Sequence, residues 1–105
     1  MSEKIDKAMS LFKERNYKES IDAFHSVLET EPDNADVYNN LAVAYSCVAD
    51  FEHAENYFVK ALELDPDNAK IHCNLGFLFW GKGDTEQAIQ EYDLAIKYDK
   101  NGASG

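Results

Sequence analysis

The apolar residues of this 105-residue chain recur every three or four positions in six segments, which are separated by short polar stretches. In one segment Leu41, Ala42 and Tyr45 fall on one side of a helix, and Ala54 and Phe58 do so in the next. This spacing is typical of amphipathic α-helices, which bury one stripe and leave the rest in water. It predicts six helices, at about residues 2–14, 18–30, 36–48, 52–64, 70–81 and 85–98.

Residues with special backbone preferences mark where these helices begin and end. Short polar side chains that can cap free backbone N–H groups stand at five of the predicted starts: Asn16, Asn34, Asp50, Asn68 and Asp84. Pro32 and Pro66 follow the second and fourth helices, and the residue before a proline is pushed out of the helical conformation. Gly83 can adopt the left-handed conformation that ends the fifth helix. The helices are therefore joined by short turns.

The helices repeat in pairs with a period of 34 residues. The segment at positions 31–35 recurs in closely similar form at positions 65–69. Small residues recur at matching places in the three copies, and they let the two helices of a pair approach closely: Ala8, Ala42 and Gly76, then Ser20, Ala54 and Ala88. A fixed period of this size is the mark of a stacked array. We divide the chain into copies at 1–34, 35–68 and 69–102, with 103–105 as a tail.

Composition adds that this is an ordinary globular sequence with a strongly acidic balance. It is 45% hydrophobic and 29% charged, with a formal net charge of −10. The middle copy has the largest excess of acidic over basic residues, with seven acidic residues and Lys60 as its one basic residue. Phosphate contacts need clustered Lys and Arg, so nucleic acid is not expected as a partner. We interpret the charge as a solvated outer face.

We expect no segment in this chain that directs a protein into or across a membrane. No stretch approaches the roughly 20 apolar residues that span a bilayer. The first residues lack the apolar core and cleavage site of a signal peptide. We therefore expect a cytoplasmic protein without membrane insertion.

The titratable residues show no catalytic or metal-binding pattern. His25, His53 and His72 fall on three predicted helices, and none has a second histidine or cysteine at ligand spacing. Cys47 and Cys73 lie near opposite ends of neighbouring first helices, too far apart for a disulfide, and free thiols suit a reducing compartment. No glycine-rich phosphate loop or acid–base carboxylate pair is visible. The sequence predicts no enzyme, no metal and no cofactor.

The repeated positions follow the pattern of a known family. In the second copy they are Leu41, Ala42, Tyr45, Ala54, Phe58, Ala61 and Pro66, and in the third Leu75, Gly76, Phe79, Gly83, Ala88, Tyr92 and Ala95. The third copy has Lys100 where the family has proline, and the first is the loosest match, with Lys7 in place of leucine. Over essentially its whole length the chain resembles a tetratricopeptide repeat protein.

This resemblance implies an all-α fold: a right-handed α-α superhelix (solenoid) of three helix-turn-helix units, with six helices. The first helices would line a concave groove, and the protein would bind other proteins. The residues aligned with the family's groove positions include Met9, Phe12, Asn39, Asn40, Val43, Lys70, Asn74, Phe77 and Trp80. This surface is apolar with amide groups, which suits an amphipathic helix or an extended apolar peptide of a partner.

Two features of the predicted groove have alternative interpretations. Asn40 and Asn74 lie one period apart and could hold a peptide backbone through their amides, or they could bond their own scaffold. Phe12, Phe77 and Trp80 could face the groove or belong to the core.

A subset of the family binds the acidic C-terminal tails of heat-shock chaperones through a clamp of lysine, arginine and asparagine. The corresponding places here hold Ile5, Met9, Asn40, Lys70 and Asn74. Only Asn40 and Lys70 fit. A lone surface cation gains little against water and salt, so we do not expect this clamp.

The two ends of the array differ in polarity. The first helix carries Lys4 and Lys7, which give it the polar outer face expected of an end repeat. No clear capping helix follows the last helix. Its outward-facing residues are nevertheless apolar: Ile89, Tyr92, Ile96 and Tyr98. The second functional hypothesis is therefore self-association into a homo-oligomer through the last helix. Another partner, or further repeats of a longer array, could cover this face instead.

Overall fold

The computed structural model describes residues 3–99. In this range the chain forms six α-helices and no β-strand: α1 (Glu3–Lys13), α2 (Tyr17–Thr30), α3 (Ala35–Cys47), α4 (Phe51–Leu64), α5 (Ala69–Lys82) and α6 (Thr85–Tyr98). All six predicted helices are confirmed, and the described ends lie within one residue of the predicted ones. Lys100 and the predicted tail, residues 103–105, lie outside the described residues.

Four of the five predicted N-caps make the expected hydrogen bond. The side chains of Asn34, Asn68, Asp50 and Asp84 each accept from the backbone N–H three residues on, at 3.2–3.3 Å. Asn16 also stands at the N-cap position, but its side chain makes no cap bond. Its amide nitrogen instead donates to the Glu14 carboxylate at 3.4 Å. The prediction that Asn16 caps α2 through its side chain was therefore wrong.

The two helices of each pair are joined through a residue with a left-handed backbone. The φ angles are 68° at Arg15, 63° at Ala49 and 85° at Gly83, and these residues lie one period apart. The following residue in each turn donates its backbone N–H to the carbonyl oxygen five residues earlier, at 2.9–3.0 Å. This bond closes the preceding helix in the way common for helix C-termini. Two of the three turns thus hold a residue with a Cβ where glycine fits best.

Small residues bring the paired helices together, as the period predicted. Ala8 and Ser20 are fully buried, and the Ser20 hydroxyl donates to the Ala8 carbonyl oxygen at 3.3 Å. Ala42 and Ala54 are likewise fully buried in the next pair. At Gly76 a Cβ would lie 3.0 Å from two ring carbons of Tyr92. These contacts leave no room for a larger side chain without movement of a neighbour.

The core consists of two clusters, each spanning three or more helices. One joins α1, α2 and α3 through residues that include Ala8, Phe24, Val27, Val37 and Leu41. The other joins α3 to α6 through residues that include Ala54, Phe58, Ile71, Leu75 and Ala88. Each helical pair is therefore fixed to the next by apolar packing, and the result is a helical solenoid.

Candidate functional site

The helices α1, α3 and α5 lie side by side and form one face of the molecule, which we call the inner face. Two cross-helix bonds mark this arrangement. The amide nitrogen of Asn40 on α3 donates to the sulfur of Met9 on α1 at 3.4 Å. The amide nitrogen of Asn74 on α5 donates to the Asn39 oxygen on α3 at 3.0 Å. These bonds bring together four of the predicted groove residues: Met9, Asn39, Asn40 and Asn74.

The sequence period gives the inner face one apolar row at corresponding positions of its three helices: Met9, Val43 and Phe77. Phe77 is 68% exposed and Trp80 is 60% exposed, so both aromatic rings project into solvent. Residues from α1 and α3 line a small pocket of about 50 Å³: Met9, Phe12, Asn40 and Val43. Phe77 and Trp80 are not core residues, whereas Phe12 packs partly against the core.

The asparagines of the inner face make bonds within the protein. Asn39 is only 2% exposed and accepts from Asn74, so it supports the helix contact and does not face solvent. Asn40 and Asn74 are half-buried and each uses one N–H in a cross-helix bond. The scaffold role therefore holds for all three, and contact of Asn40 and Asn74 with a peptide stays a prediction.

Charge on the inner face is sparse and mixed. Asp6, Lys13 and Asp36 are exposed on α1 and α3, and Lys70 is exposed on α5. Lys70 lies where the inner face meets a second groove, which it also lines. Such a surface has no excess charge of either sign, so it does not select strongly acidic or basic ligands.

The second groove lies between α5 and α6 and is open and apolar, with a volume of about 490 Å³. Its lining residues are Ala69, Lys70, Cys73, Tyr92, Ala95, Ile96 and Asp99. Of the predicted self-association residues, Ile89 and Ile96 are 54% and 65% exposed. Tyr92 packs partly against the core, and the Tyr98 ring lies 5.5 Å from the His72 ring. Two of the four residues thus also contact their own chain.

His72 forms a link between α6 and the loop before α5 that was not expected from the sequence. It is 7% exposed, and its Nε2 atom donates to the Pro66 carbonyl oxygen at 2.8 Å. Its Nδ1 atom lies 2.8 Å from a carboxylate oxygen of Glu91 on α6. His72 therefore fastens α6 to the loop that precedes α5. In the second copy the corresponding residue Tyr38 donates its hydroxyl to the Pro32 carbonyl oxygen at 3.0 Å and stacks on Tyr57 at 6.1 Å. The third copy thus makes the same contacts with a histidine and a carboxylate.

A column of rings connects α3 and α4. Tyr45 stacks on Tyr57 at 5.5 Å and on His53 at 5.0 Å, measured between ring centroids. His25 on α2 lies with its Nε2 atom 3.0 Å from the Tyr45 hydroxyl oxygen. Burial, with smaller contributions from Tyr57 and nearby carboxylates, raises the pKa of Tyr45 above its usual value of 10.0. These rings tie α2, α3 and α4 together.

Family models decide what kind of protein this is. Three models described as tetratricopeptide repeat match residues 5–45, 35–68 and 57–90. The chain is a tetratricopeptide repeat (TPR) protein. No curated protein sequence matches it significantly.

Solved structures share the TPR fold of this chain. MamA (residues 41 to the end) from Desulfovibrio magneticus RS-1 has a TM-score of 0.87 and 26% identity over 93% of this chain and 55% of that one. The first TPR domain of Spaghetti (RPAP3), described as bound to the HSP90 peptide SRMEEVD, has a TM-score of 0.87 and 24% identity over 93% of this chain and 78% of that one. Its second TPR domain, bound to the same peptide, has a TM-score of 0.85, 24% identity and coverages of 91% and 89%.

These likenesses support different conclusions. The identity to the RPAP3 domains is low enough that the likeness shows the fold alone. The TPR chain spans about half the length of the MamA chains that it matches.

Between residues 3 and 99, no helix is long and apolar enough to cross a membrane.

Proposed function

We propose that this TPR protein is an interaction scaffold, which binds a peptide or amphipathic helix of a partner protein across its inner face. The observation that carries this proposal is the exposure of two adjacent aromatic residues, Phe77 at 68% and Trp80 at 60%. Contiguous exposed apolar patches on soluble proteins commonly mark interaction sites. Aromatic residues are also the side chains that most often dominate binding energy at interfaces.

The rest of the inner face supplies what such a ligand needs. Val43 and Met9 extend the apolar row from Phe77 toward α1, next to the small pocket. Burial of one such side chain contributes about 1.5–3 kcal/mol. The amides of Asn40 and Asn74 have two N–H groups and one oxygen each, so both can still bond a peptide backbone. Apolar burial would give affinity, and the amides would hold an extended backbone of varied sequence.

The peptide-bound RPAP3 domains support peptide binding by this fold, but the ligand proposed here differs from theirs. They are described with an acidic HSP90 peptide. Here Ile5 and Met9 stand where the chaperone clamp needs polar side chains, and Lys70 lies at the second groove. We therefore propose an apolar or amphipathic ligand. SRMEEVD should bind this protein no more tightly than a scrambled peptide of the same composition.

Trp80 provides a direct test because it is the one tryptophan in the sequence. A peptide selected from a displayed library of apolar and amphipathic sequences should shift Trp80 emission to shorter wavelength as it binds. Phe77→Ser should weaken this peptide about tenfold or more, since one buried ring is lost from the interface. Val59→Ser on α4, where Val59 is also exposed at 44%, is the matched control and should leave affinity unchanged.

The double variant Asn40→Ala/Asn74→Ala tests the role of the amides. A loss of peptide affinity with an unchanged unfolding temperature would support direct contact with the ligand. Unchanged affinity in this variant would restrict binding to the aromatic residues. Equal weakening by Val59→Ser and Phe77→Ser would contradict an inner-face site altogether.

Self-association through α6 is the alternative function, and the exposure of Ile89 and Ile96 is the observation that favours it. Two copies facing each other at α6 would also bring together two molecules of net charge −10, which opposes the contact at low salt. Sedimentation over a concentration series tests this alternative. A monomer at all concentrations would eliminate it, and a dimer lost on Ile96→Lys would support it.

A further inference from the structure

The solenoid contains the same helix-docking interface twice. In each interface a helix enters the groove of the preceding pair with buried apolar residues at positions i, i+4 and i+7. We call these three positions the docking triad, and they are Val37, Leu41 and Ala44 in α3 and Ile71, Leu75 and Leu78 in α5. The receiving residues that share their core clusters are Ile21, Phe24 and Val27 in α2 and Phe58 and Ala61 in α4.

Helix α6 carries a third set of receiving residues at the same period. Its Tyr92, Ala95 and Ile96 line the groove of about 490 Å³ against α5. Leu28 and Leu62, which hold the place of Ile96 in α2 and α4, pack against the core under the entering helix. Ile96 itself is 65% exposed. Among residues 3–99 no helix enters this third groove, although its surface continues the two filled ones.

The filled interfaces define how a helix would lie in the third groove. Four residues beyond the docking triad, at position i+11, α5 carries Lys82, whose Nζ atom bonds the Glu55 carboxylate of α4 at 2.9 Å. The place of Glu55 is taken in α6 by Ile89, which is 54% exposed. A charged residue at i+11 would therefore find no ion-pair partner at the place of Glu55. An apolar residue at i+11 would instead be buried against Ile89.

Charge at the rim defines one further position. In the first interface Tyr45 of α3, at position i+8, places its hydroxyl oxygen 3.0 Å from His25 of α2. The place of His25 is taken in α6 by Asp93, which is exposed. Position i+8 of an entering helix would therefore meet a carboxylate, and lysine or arginine suits it best.

We propose that the groove between α5 and α6 is a second binding site, which takes an amphipathic helix of a partner protein. This helix has apolar side chains at i, i+4, i+7 and i+11 and a basic side chain at i+8. It continues the packing of α3 and α5, and its basic residue complements Asp93.

A second copy of this chain does not fit the required pattern. Its α1 would present Glu3, Lys7 and Ser10 at the docking triad, and none of them is apolar. Its α6 would present Ile89 at i and Asp93 at i+4, which would place a carboxylate in the apolar groove. We therefore assign the groove to a partner protein with basic residues beside its apolar stripe.

The test uses a peptide built from α3, which already has the docking pattern. The probe is a fluorescein-labelled copy of residues 35–48 carrying Tyr45→Arg and Cys47→Ser, held helical by a staple on its outer side. Fluorescence anisotropy with the full chain should show saturable binding. Ile96→Lys should weaken it about tenfold or more. Replacing the arginine of the probe by glutamate should weaken it about fivefold, as expected for one exposed ion pair.

Phe77→Lys on the inner face is the matched control, because Phe77 is as exposed as Ile96. It should leave binding of the probe unchanged, and it separates this site from the inner-face site. The proposal is overturned if the probe does not saturate, or if Phe77→Lys and Ile96→Lys weaken it equally. A concentration-dependent dimer that Ile96→Lys abolishes would assign the groove to a second copy. A lower unfolding temperature of Ile96→Lys alone would show that the chain itself already covers Ile96.

Discussion

Gly81 and Gly83 lie two residues apart, and replacing each by alanine should change stability in opposite directions. At neither position does any atom lie within 4 Å of the place of a new Cβ, so packing does not decide the result. Gly81 is inside α5, where alanine is favoured over glycine by about 0.5–1 kcal/mol. Gly83 has a φ of 85°, in the left-handed region where a Cβ costs about 1–2 kcal/mol.

The magnitude at Gly83 is reduced by an effect on the unfolded chain. Alanine lowers the conformational entropy of the unfolded state, which favours folding by about 0.4–1 kcal/mol. We therefore expect Gly83→Ala to cost about 1 kcal/mol net. Ala49 occupies the matching turn with a φ of 63°. Ala49→Gly removes the Cβ from this left-handed position, so we expect it to stabilise the protein by about 0.5–1 kcal/mol.

Urea unfolding followed by far-ultraviolet circular dichroism measures these differences. The free energy of unfolding follows from the midpoint, provided that its slope with urea is unchanged. For a domain of this size, 1 kcal/mol corresponds to about 4–8 °C in the unfolding temperature. Gly81→Ala serves as the control for alanine substitution in general. A Gly83→Ala protein as stable as the wild type, or a less stable Ala49→Gly protein, would refute the strain argument.

Three further substitutions test the packing and the polar links. Ala54→Leu should cost about 1–3 kcal/mol, because Ala54 is fully buried where paired helices meet; an equally stable variant in urea would show that the contact can expand. His72→Gln should cost about 2 kcal/mol by loss of its two short bonds, and thermal unfolding checks it against Glu91→Gln, which removes one partner's charge. The pKa of Tyr45 is raised in the folded state, so the stabilisation from its neutral phenol is complete below about pH 10 and is lost as the pH rises through the folded pKa. Tyr45→Phe should remove that alkaline loss, and ultraviolet titration of the tyrosines together with unfolding at pH 8–11 measures it.

The helices were predictable because several independent signals agree in this sequence. The apolar spacing, the prolines after α2 and α4, and the capping residues all indicate the same boundaries. Asn16 shows where a local signal fails: it stands at the N-cap position of α2, but its side chain makes no cap bond. A suitable residue type at a helix start therefore does not by itself show that a capping hydrogen bond forms.

The candidate sites were predictable in part. The period places Phe77 and Trp80 on one face, but their exposure depends on how the copies pack, which the sequence leaves open. Asn39 and Asn40 are neighbours, yet only Asn39 is buried, because Asn74 bonds it from the next helix. The His72–Glu91 link spans 19 residues and two helices, so it follows only from the tertiary structure.

The division of the core into two clusters has a consequence for how the molecule opens. Tyr45 and Tyr57 border both clusters, while α1 contributes only Ala8 as a fully buried side chain. Helix α1 is thus held through few buried groups, and hydrogen exchange should detect its fraying well below the free energy of global unfolding. A ligand that contacts α1, α3 and α5 at once would suppress this fraying. The ligand-bound chain would then unfold as a single cooperative unit, whereas the free chain begins to unfold at α1.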